Sequence, residues 1–282
     1  MTTQLTTTAA QWRSAPANGI DIHYIEAGRG EPLVLLHGGM VSTNPIWAPA
    51  PVSYSAHMER LAEGFRVIAP DTRGCGRTRH SDGTVTFDLL ADDVLALIDA
   101  LSLDRPLIAG FSEGATTATI VGIRGPDSVR AIVNDAGYDF FNPGARSFTI
   151  MRQILGGSPQ ATDADPDAAA AGFAQSPEMQ VMFELLIADQ DGAQGDGHWR
   201  EYLRSAFHRT TRSPGYTFED LGEIAVPTLI LVGDRDQFCT AEEAVTAYRA
   251  LKHGELGVLP ATGHIITPAA IDTTINFFER HR

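Results

Sequence analysis

Short apolar runs alternate with helically spaced stretches along most of this chain. Ile20-Asp21-Ile22-His23-Tyr24-Ile25 alternates with period two and predicts an edge strand of a hairpin. Leu33-Val34-Leu35-Leu36, Phe65-Arg66-Val67-Ile68-Ala69, Leu107-Ile108-Ala109, Ala131-Ile132-Val133 and Thr228-Leu229-Ile230-Leu231-Val232 are nearly unbroken apolar runs. Such runs are typical of strands buried on both faces of a parallel sheet. Residues 87–101 carry apolar side chains at helical spacing, with Thr86 placed as N-cap and Asp88 in the first turn. Residues 271–278 predict a closing helix. Strand alternating with helix predicts the α/β class, a mostly parallel sheet flanked by helices. Ligands of such sheets bind outside the carboxyl ends of the strands, so the loops that follow strands are the informative ones.

One segment, roughly 138–218, breaks the alternation. Residues 156–166 are rich in Gly, Pro, Asp and Ala, whereas 178–187 and 198–207 predict amphipathic helices. Gly192-Ala193-Gln194-Gly195-Asp196-Gly197 punctuates the two helices. Phe140, Phe141, Phe148, Ile150, Met151, Met179, Met182, Phe183, Leu186 and Phe207 give the segment enough apolar surface to require burial. Packing against the rest of the fold accounts for most of them, and a few are expected to line a pocket.

Composition narrows the function classes. At 282 residues and 43% hydrophobic, the chain can bury a sizeable core. The net charge of −14 argues against nucleic acid and anionic membrane surfaces as partners. No apolar run approaches the roughly 18 residues of a membrane helix. The first eight residues lack the basic and apolar regions of a signal peptide and predict a polar, mobile tail. Two cysteines, Cys75 and Cys239, are too few for a disulfide framework, and cytoplasmic residence is the expectation.

The candidate chemistry lies in the post-strand loops. Gly110-Phe111-Ser112-Glu113-Gly114 sits between a predicted strand and a predicted helix, the setting of a nucleophile elbow. A serine hydroxyl needs a base within reach and an open approach for substrate. A sharp strand-to-helix turn provides the second, and glycines at its flanks tolerate the close backbone approach. The helix start also aims unpaired N–H groups at a developing oxyanion. The other loops are His37-Gly38-Gly39-Met40, then Asp71-Thr72-Arg73-Gly74-Cys75-Gly76-Arg77-Thr78, then Asn134-Asp135-Ala136-Gly137. Gly233-Asp234-Arg235-Asp236 follows the run 228–232, and Thr262-Gly263-His264 follows a last short run, Leu256-Gly257-Val258-Leu259. Nucleophile, acid and histidine therefore come in chain order Ser, Asp, His, each at a strand end.

These pieces together resemble the α/β-hydrolase superfamily, most of all its bacterial esterase and valacyclovir-hydrolase-like branch. Leu35 to Gly39, Val67 to Thr78, Ala91-Asp92-Asp93-Val94, the Ser112 elbow, Pro227 to Asp236 and Gly263-His264 carry the resemblance. Ala115 and Thr78 depart from the commoner Gly and Ser, and both remain small. The resemblance implies an α/β-hydrolase core in two parts, 1–137 and 219–282, with a helical cap, 138–218, inserted after the sixth strand. It implies Ser112 as nucleophile and His264 as base. The acid falls at Asp236, three residues after the strand-end glycine, with Asp135 and Asp234 as alternatives. Asp readily bonds nearby backbone N–H groups, so turn chemistry competes with catalysis at each. The oxyanion hole would use the backbone N–H groups of Glu113 and Gly39, with Met40 as fallback. His37 takes a structural part, bonding loops beneath the hole. A helix-start carboxylate is favoured by the dipole, which accounts for the Glu113 side chain.

What the chain lacks narrows the reaction. Ser112 stands where dehalogenases and epoxide hydrolases of this fold carry aspartate, and Ile265 follows His264 where C–C bond hydrolases often carry tryptophan. No metal cluster or phosphate loop is present in the sequence, and Gly28-Arg29-Gly30 joins two strands rather than opening a helix. The expectation is a serine hydrolase without cofactor or metal. It would act through an acyl-enzyme on a small-molecule carboxylic ester or a lactone, thioester or activated amide. The alternatives are a C–C hydrolase, perhydrolase or lyase using the same residues, and a non-catalytic small-molecule receptor.

Overall fold

The computed structural model describes residues 10–40, 42, 54–80 and 84–282. The polar tail, residues 1–8, lies outside them. Eight strands form one sheet in the order β1-β2-β4-β3-β5-β6-β7-β8. They are β1 (Gln11–Ala17), β2 (Ile20–Gly28), β3 (Glu31–Leu36), β4 (Phe65–Pro70), β5 (Leu107–Phe111), β6 (Ala131–Asp135), β7 (Thr228–Gly233) and β8 (Gly254–Leu259). β1 and β2 pair antiparallel, as do β2 and β4, and every pairing from β4 through β8 is parallel. This is the mostly parallel sheet the apolar runs predict. Leu33 to Leu36 and all of β5, β6 and β7 are buried, as strands covered on both faces must be.

The hairpin requires a correction. The run 20–25 was expected at the sheet edge, but β2 lies between β1 and β4, and β1 is the edge. Asn18-Gly19 joins the two, both residues at positive φ (46° and 77°), as a two-residue hairpin turn demands. β1 is hard to see in the sequence because it is short of apolar residues and contains Pro16. An exposed edge tolerates both.

Helices cover the sheet: α1 (Met58–Ala62), α2 (Phe87–Ala100), α3 (Glu113–Arg124), α8 (Ala241–Ala250) and α9 (Pro268–His281). Thr86 caps α2 by accepting from Leu89 N–H, as the sequence predicts. Between β6 and β7 run four further helices, α4 (Arg146–Gly156), α5 (Pro166–Phe173), α6 (Pro177–Gln194) and α7 (His198–Thr210). α6 continues through Gly192 and breaks only at Gly195-Asp196-Gly197, where both glycines have positive φ.

The apolar side chains of this segment divide between two clusters. Phe140, Phe141 and Phe148 join the main core. Leu155, Phe173, Phe183, Leu186, Trp199, Leu203 and Phe207 form a second cluster that also takes in Cys75 from the loop after β4. Phe183 stacks on Phe173 at 5.0 Å and meets Trp199 edge-on at 5.2 Å. Aromatic pairs of these geometries add about 0.5–1.5 kcal/mol each beyond their buried area.

Candidate active site

Register brings the informative loops together. Leu36 pairs with Gly110, Phe111 with Asp135, and Gly233 with Leu259, so β3, β5, β6, β7 and β8 end at one edge of the sheet. Ser112 stands at that edge, between β5 and α3, with φ 52° and ψ −119°. A non-glycine residue there is strained by about 1–3 kcal/mol and persists only where its surroundings dictate it. Its N–H donates to Asp135 O (2.8 Å), and its carbonyl accepts from Thr116 N–H (3.0 Å). A Cβ on Gly110 would collide with the Gly114 backbone, and one on Gly114 would collide with the carbonyls of Leu36 and His37. The two flanking glycines thus let β5, α3 and the loop after β3 meet around the serine.

Asp236 and His264 arrive from the two strand ends beyond. His264 Nδ1 donates to Asp236 Oδ2 at 2.7 Å. Asp236 Oδ1 accepts from Phe238 N–H (2.8 Å) and Cys239 N–H (2.9 Å), and its side chain is fully buried. Both carboxylate oxygens are therefore engaged, as buried polar atoms usually are. The imidazole lies between the rings of Phe111 (4.7 Å) and Phe238 (4.8 Å), beside the residue that precedes Ser112. Among the described residues no hydrogen bond joins Ser112 to His264. Such bonds are often long without substrate and tighten when it binds.

The other two aspartates stand elsewhere. Asp234 is exposed and accepts from Thr262 N–H at 3.1 Å, which is turn chemistry. Asp135 is buried at the end of β6, and burial, with the charge of Asp236 nearby, pushes its carboxyl well above the ordinary range. The hydrogen bond of the imidazole goes to Asp236 and not to Asp135. Behind Asp236, burial lifts the Asp139 carboxyl to about 6, and the Cys239 thiol donates to Asp139 Oδ1 and Ala136 O.

Asp236, Cys239 and His264 also place donor atoms within 4.8 Å of one another, the spacing of a metal site. Their chemistry does not fit one. A metal takes thiolate, and burial beside Asp139 and Asp236 pushes the Cys239 thiol far up. The Asp236 oxygens are already occupied by N–H donors.

The loop after β3 passes directly over the elbow. Gly38 packs on Phe111 and Ser112, and a Cβ there would sit 3.4 Å from Ser112 Cβ. His37 Nε2 accepts from Thr72 N–H (3.1 Å), so Nδ1 carries the proton and donates to Gly38 O (2.7 Å). Burial lowers its pKa, which favours this neutral tautomer, and the ring pins the loop after β3 to the loop after β4. Glu113 opens α3, so its N–H is one of the four without an intrahelical acceptor. Met40 N–H is engaged, donating to Tyr202 Oη of α7 at 2.7 Å. Of the more distant histidines, His198 bonds Gly74 O and His208 lies 3.6 Å from Asp163, both remote from Ser112 in role.

The sequence does not reveal the partner of the Glu113 side chain. Arg209 Nε of α7 donates to Glu113 Oε2 at 2.7 Å, and both side chains are nearly buried, 5% and 11% exposed. The only hint is an arginine on the apolar face of an amphipathic helix, seven residues after Tyr202 and so on the same face.

A family model described as the alpha/beta hydrolase family matches residues 33–273. The AB hydrolase superfamily protein YisY of Bacillus subtilis (strain 168) is 28% identical over 251 residues, covering 85% of this chain and 87% of that protein. A putative non-heme chloroperoxidase of Synechocystis sp. (strain PCC 6803) is 26% identical over 88% of this chain and 89% of its own length. Among solved structures, a serine hydrolase involved in carbazole degradation (CarC enzyme) superposes with a TM-score of 0.71 at 25% identity, over 96% of this chain and all of that one. Their names differ in the chemistry they state, so the likeness fixes the family and not the bond cleaved. The matched stretch runs from β3 to α9 through the elbow and both later strand ends, and on that whole length the chain belongs to the alpha/beta hydrolase family.

Proposed function

We propose that this hydrolase is a serine esterase-type enzyme that cleaves a carboxylic ester, or a lactone, thioester or activated amide, through an acyl-enzyme. The observation that carries the reading is the His264–Asp236 pair beside a serine held at φ 52° on a strand-to-helix turn. Ser112 attacks the acyl carbon while His264 Nε2 takes its proton. Asp236 holds the imidazole with Nδ1 protonated and stabilises the imidazolium. His264 then protonates the leaving group, and the acyl-enzyme is hydrolysed by water through the same base. The oxyanion is received by the N–H groups of Glu113 and Gly39, because Met40 N–H is already engaged by Tyr202. The helices α4 to α7 act as a cap that shapes the substrate pocket. No step calls for a cofactor or metal.

A panel of chromogenic esters of graded acyl length, with lactones beside them, tests the reading together with a serine-directed phosphonate. Turnover of at least one substrate class and labelling of Ser112 alone are expected. A protein inert to the whole panel and to the phosphonate would overturn it.

A further inference from the structure

Three polar ties run from α6 and α7 onto the two backbone segments that frame the reacting carbonyl. Asp189 of α6 accepts from Ser42 N–H (2.7 Å) and Ser42 Oγ (2.8 Å). Tyr202 of α7 accepts from Met40 N–H, one residue beyond Gly39. Arg209, two turns further along α7, grips the Glu113 carboxylate. That carboxylate does not point to solvent. It lies against Gly39 so closely that a Cβ there would overlap its Oε1 and Cδ. The Glu113 side chain thus bridges the helix start that supplies one oxyanion donor and the loop that supplies the other, and Arg209 fixes the bridge.

We infer that Tyr202 and Arg209 are positioning residues for the oxyanion hole, which is complete only when α6 and α7 are seated on the core. The inference rests on the serine-hydrolase reading and goes beyond a cap that only selects substrate. Met40 has φ 82°, a conformation its side chain disfavours, so the loop does not hold this path by itself. The Tyr202 hydroxyl supplies an acceptor at that point. Arg209 is buried against the Glu113 carboxylate and donates to Oε2, while Oε1 lies against Gly39. A single guanidinium donor bond to a buried carboxylate is directional and charge-assisted, which suits it to fix an orientation. Placement errors of about 1 Å near the reacting atoms cost about 100-fold in rate.

The experiment uses the full chain with Tyr202→Phe, Arg209→Gln and Arg209→Lys. Steady-state kinetics on one ester are paired with the inhibition constant of an arylboronic acid. The tetrahedral adduct of that acid with Ser112 places an oxygen in the hole. Hydrogen exchange of residues 37–40 is measured alongside. We expect kcat to fall about 10- to 100-fold in Tyr202→Phe and Arg209→Gln with KM nearly unchanged. Boronate affinity should weaken in proportion to kcat, exchange at 37–40 should accelerate, and Arg209→Lys should recover part of each. Ser112 should still be labelled by phosphonate, which separates loss of the hole from loss of the nucleophile. Lower melting temperature with unchanged kcat, boronate affinity and exchange would reduce these residues to packing and overturn the inference. Should Arg209→Gln fail to fold, the near-isosteric Tyr202→Phe carries the same readouts. Exchange at 37–40 decides even if no tested ester is turned over.

Discussion

Replacing Asp236 by Asn tests the assignment of the acid most sharply. Asp236 makes three bonds: two from the N–H groups of Phe238 and Cys239 to Oδ1, and one from His264 Nδ1 to Oδ2. Asn can keep the first two through its amide oxygen, so the turn survives. Its NH₂ then faces His264 Nδ1 and must donate to it. The imidazole proton moves to Nε2, where the base should be empty, and no carboxylate remains to stabilise the imidazolium. By analogy with a serine triad so altered, kcat should fall on the order of 10⁴-fold near neutral pH, about 5.5 kcal/mol of lost transition-state stabilisation. Asp135→Asn is the paired control. Asp135 is buried at the end of β6 and His264 is held by Asp236, so a near-isosteric amide there leaves the imidazole's partner in place. A loss of about 10-fold or less is expected, since Asp135 lies outside the acting unit. Steady-state ester hydrolysis at matched pH, after circular dichroism and thermal melts confirm both folds, gives the comparison. If Asp135→Asn is the crippled enzyme and Asp236→Asn the mild one, the reasoning fails.

Ser112→Ala should fold normally and lose at least about 10⁴-fold in kcat, with phosphonate labelling abolished. Residual labelling elsewhere would move the nucleophile. If α4 to α7 act as the proposed cap, smaller side chains at Met151, Ile154 and Met179, which pack half-buried on its cluster, should change relative kcat/KM among acyl chain lengths by up to about 10- to 200-fold. Equal scaling of all substrates would count against a specificity role. The Asp139 carboxyl, raised from its ordinary 3.8 to about 6, binds its proton more tightly folded than unfolded. Its contribution is therefore full below pH 4 and declines as pH rises to about 6, by up to about 3 kcal/mol at one pKa unit per 1.36 kcal/mol. Denaturant melts across pH 4–7 should show this slope in the wild type and a shallower one in Asp139→Asn. An unaltered slope would assign the titration to another group.

The elements legible in the sequence are those where local pattern and global environment agree. β3, β5, β6 and β7 are buried on both faces, so their unbroken apolar runs announce them. Ser112 and Asp236 stand next to such runs, His264 follows the short, partly exposed β8, and all three are marked by a nearby glycine. β1 is not legible because an exposed edge strand needs no apolar pattern. The sequence offers Met40 N–H as a fallback oxyanion donor, and in the structure that N–H donates to Tyr202 Oη. That contact spans 162 positions of chain, and no local pattern encodes it. Arg209 escaped for the same reason, and the helix dipole explains only why a carboxylate suits position 113, not what grips it.

The order of strands also grades the site's durability. Ser112 hangs from β5, which has β3 on one side and β6 on the other. His264 follows β8, which among the described residues pairs with β7 alone and whose residues are all at least partly exposed. Opening of a sheet begins at such margins, where few buried contacts must be surrendered. On the proposed assignment, His264 can therefore part from Ser112 while the centre of the sheet is still intact. Heat or denaturant should extinguish turnover before the global unfolding signal moves, and an early-inactivated molecule should recover on cooling, because the strand that has to return has one neighbour to find.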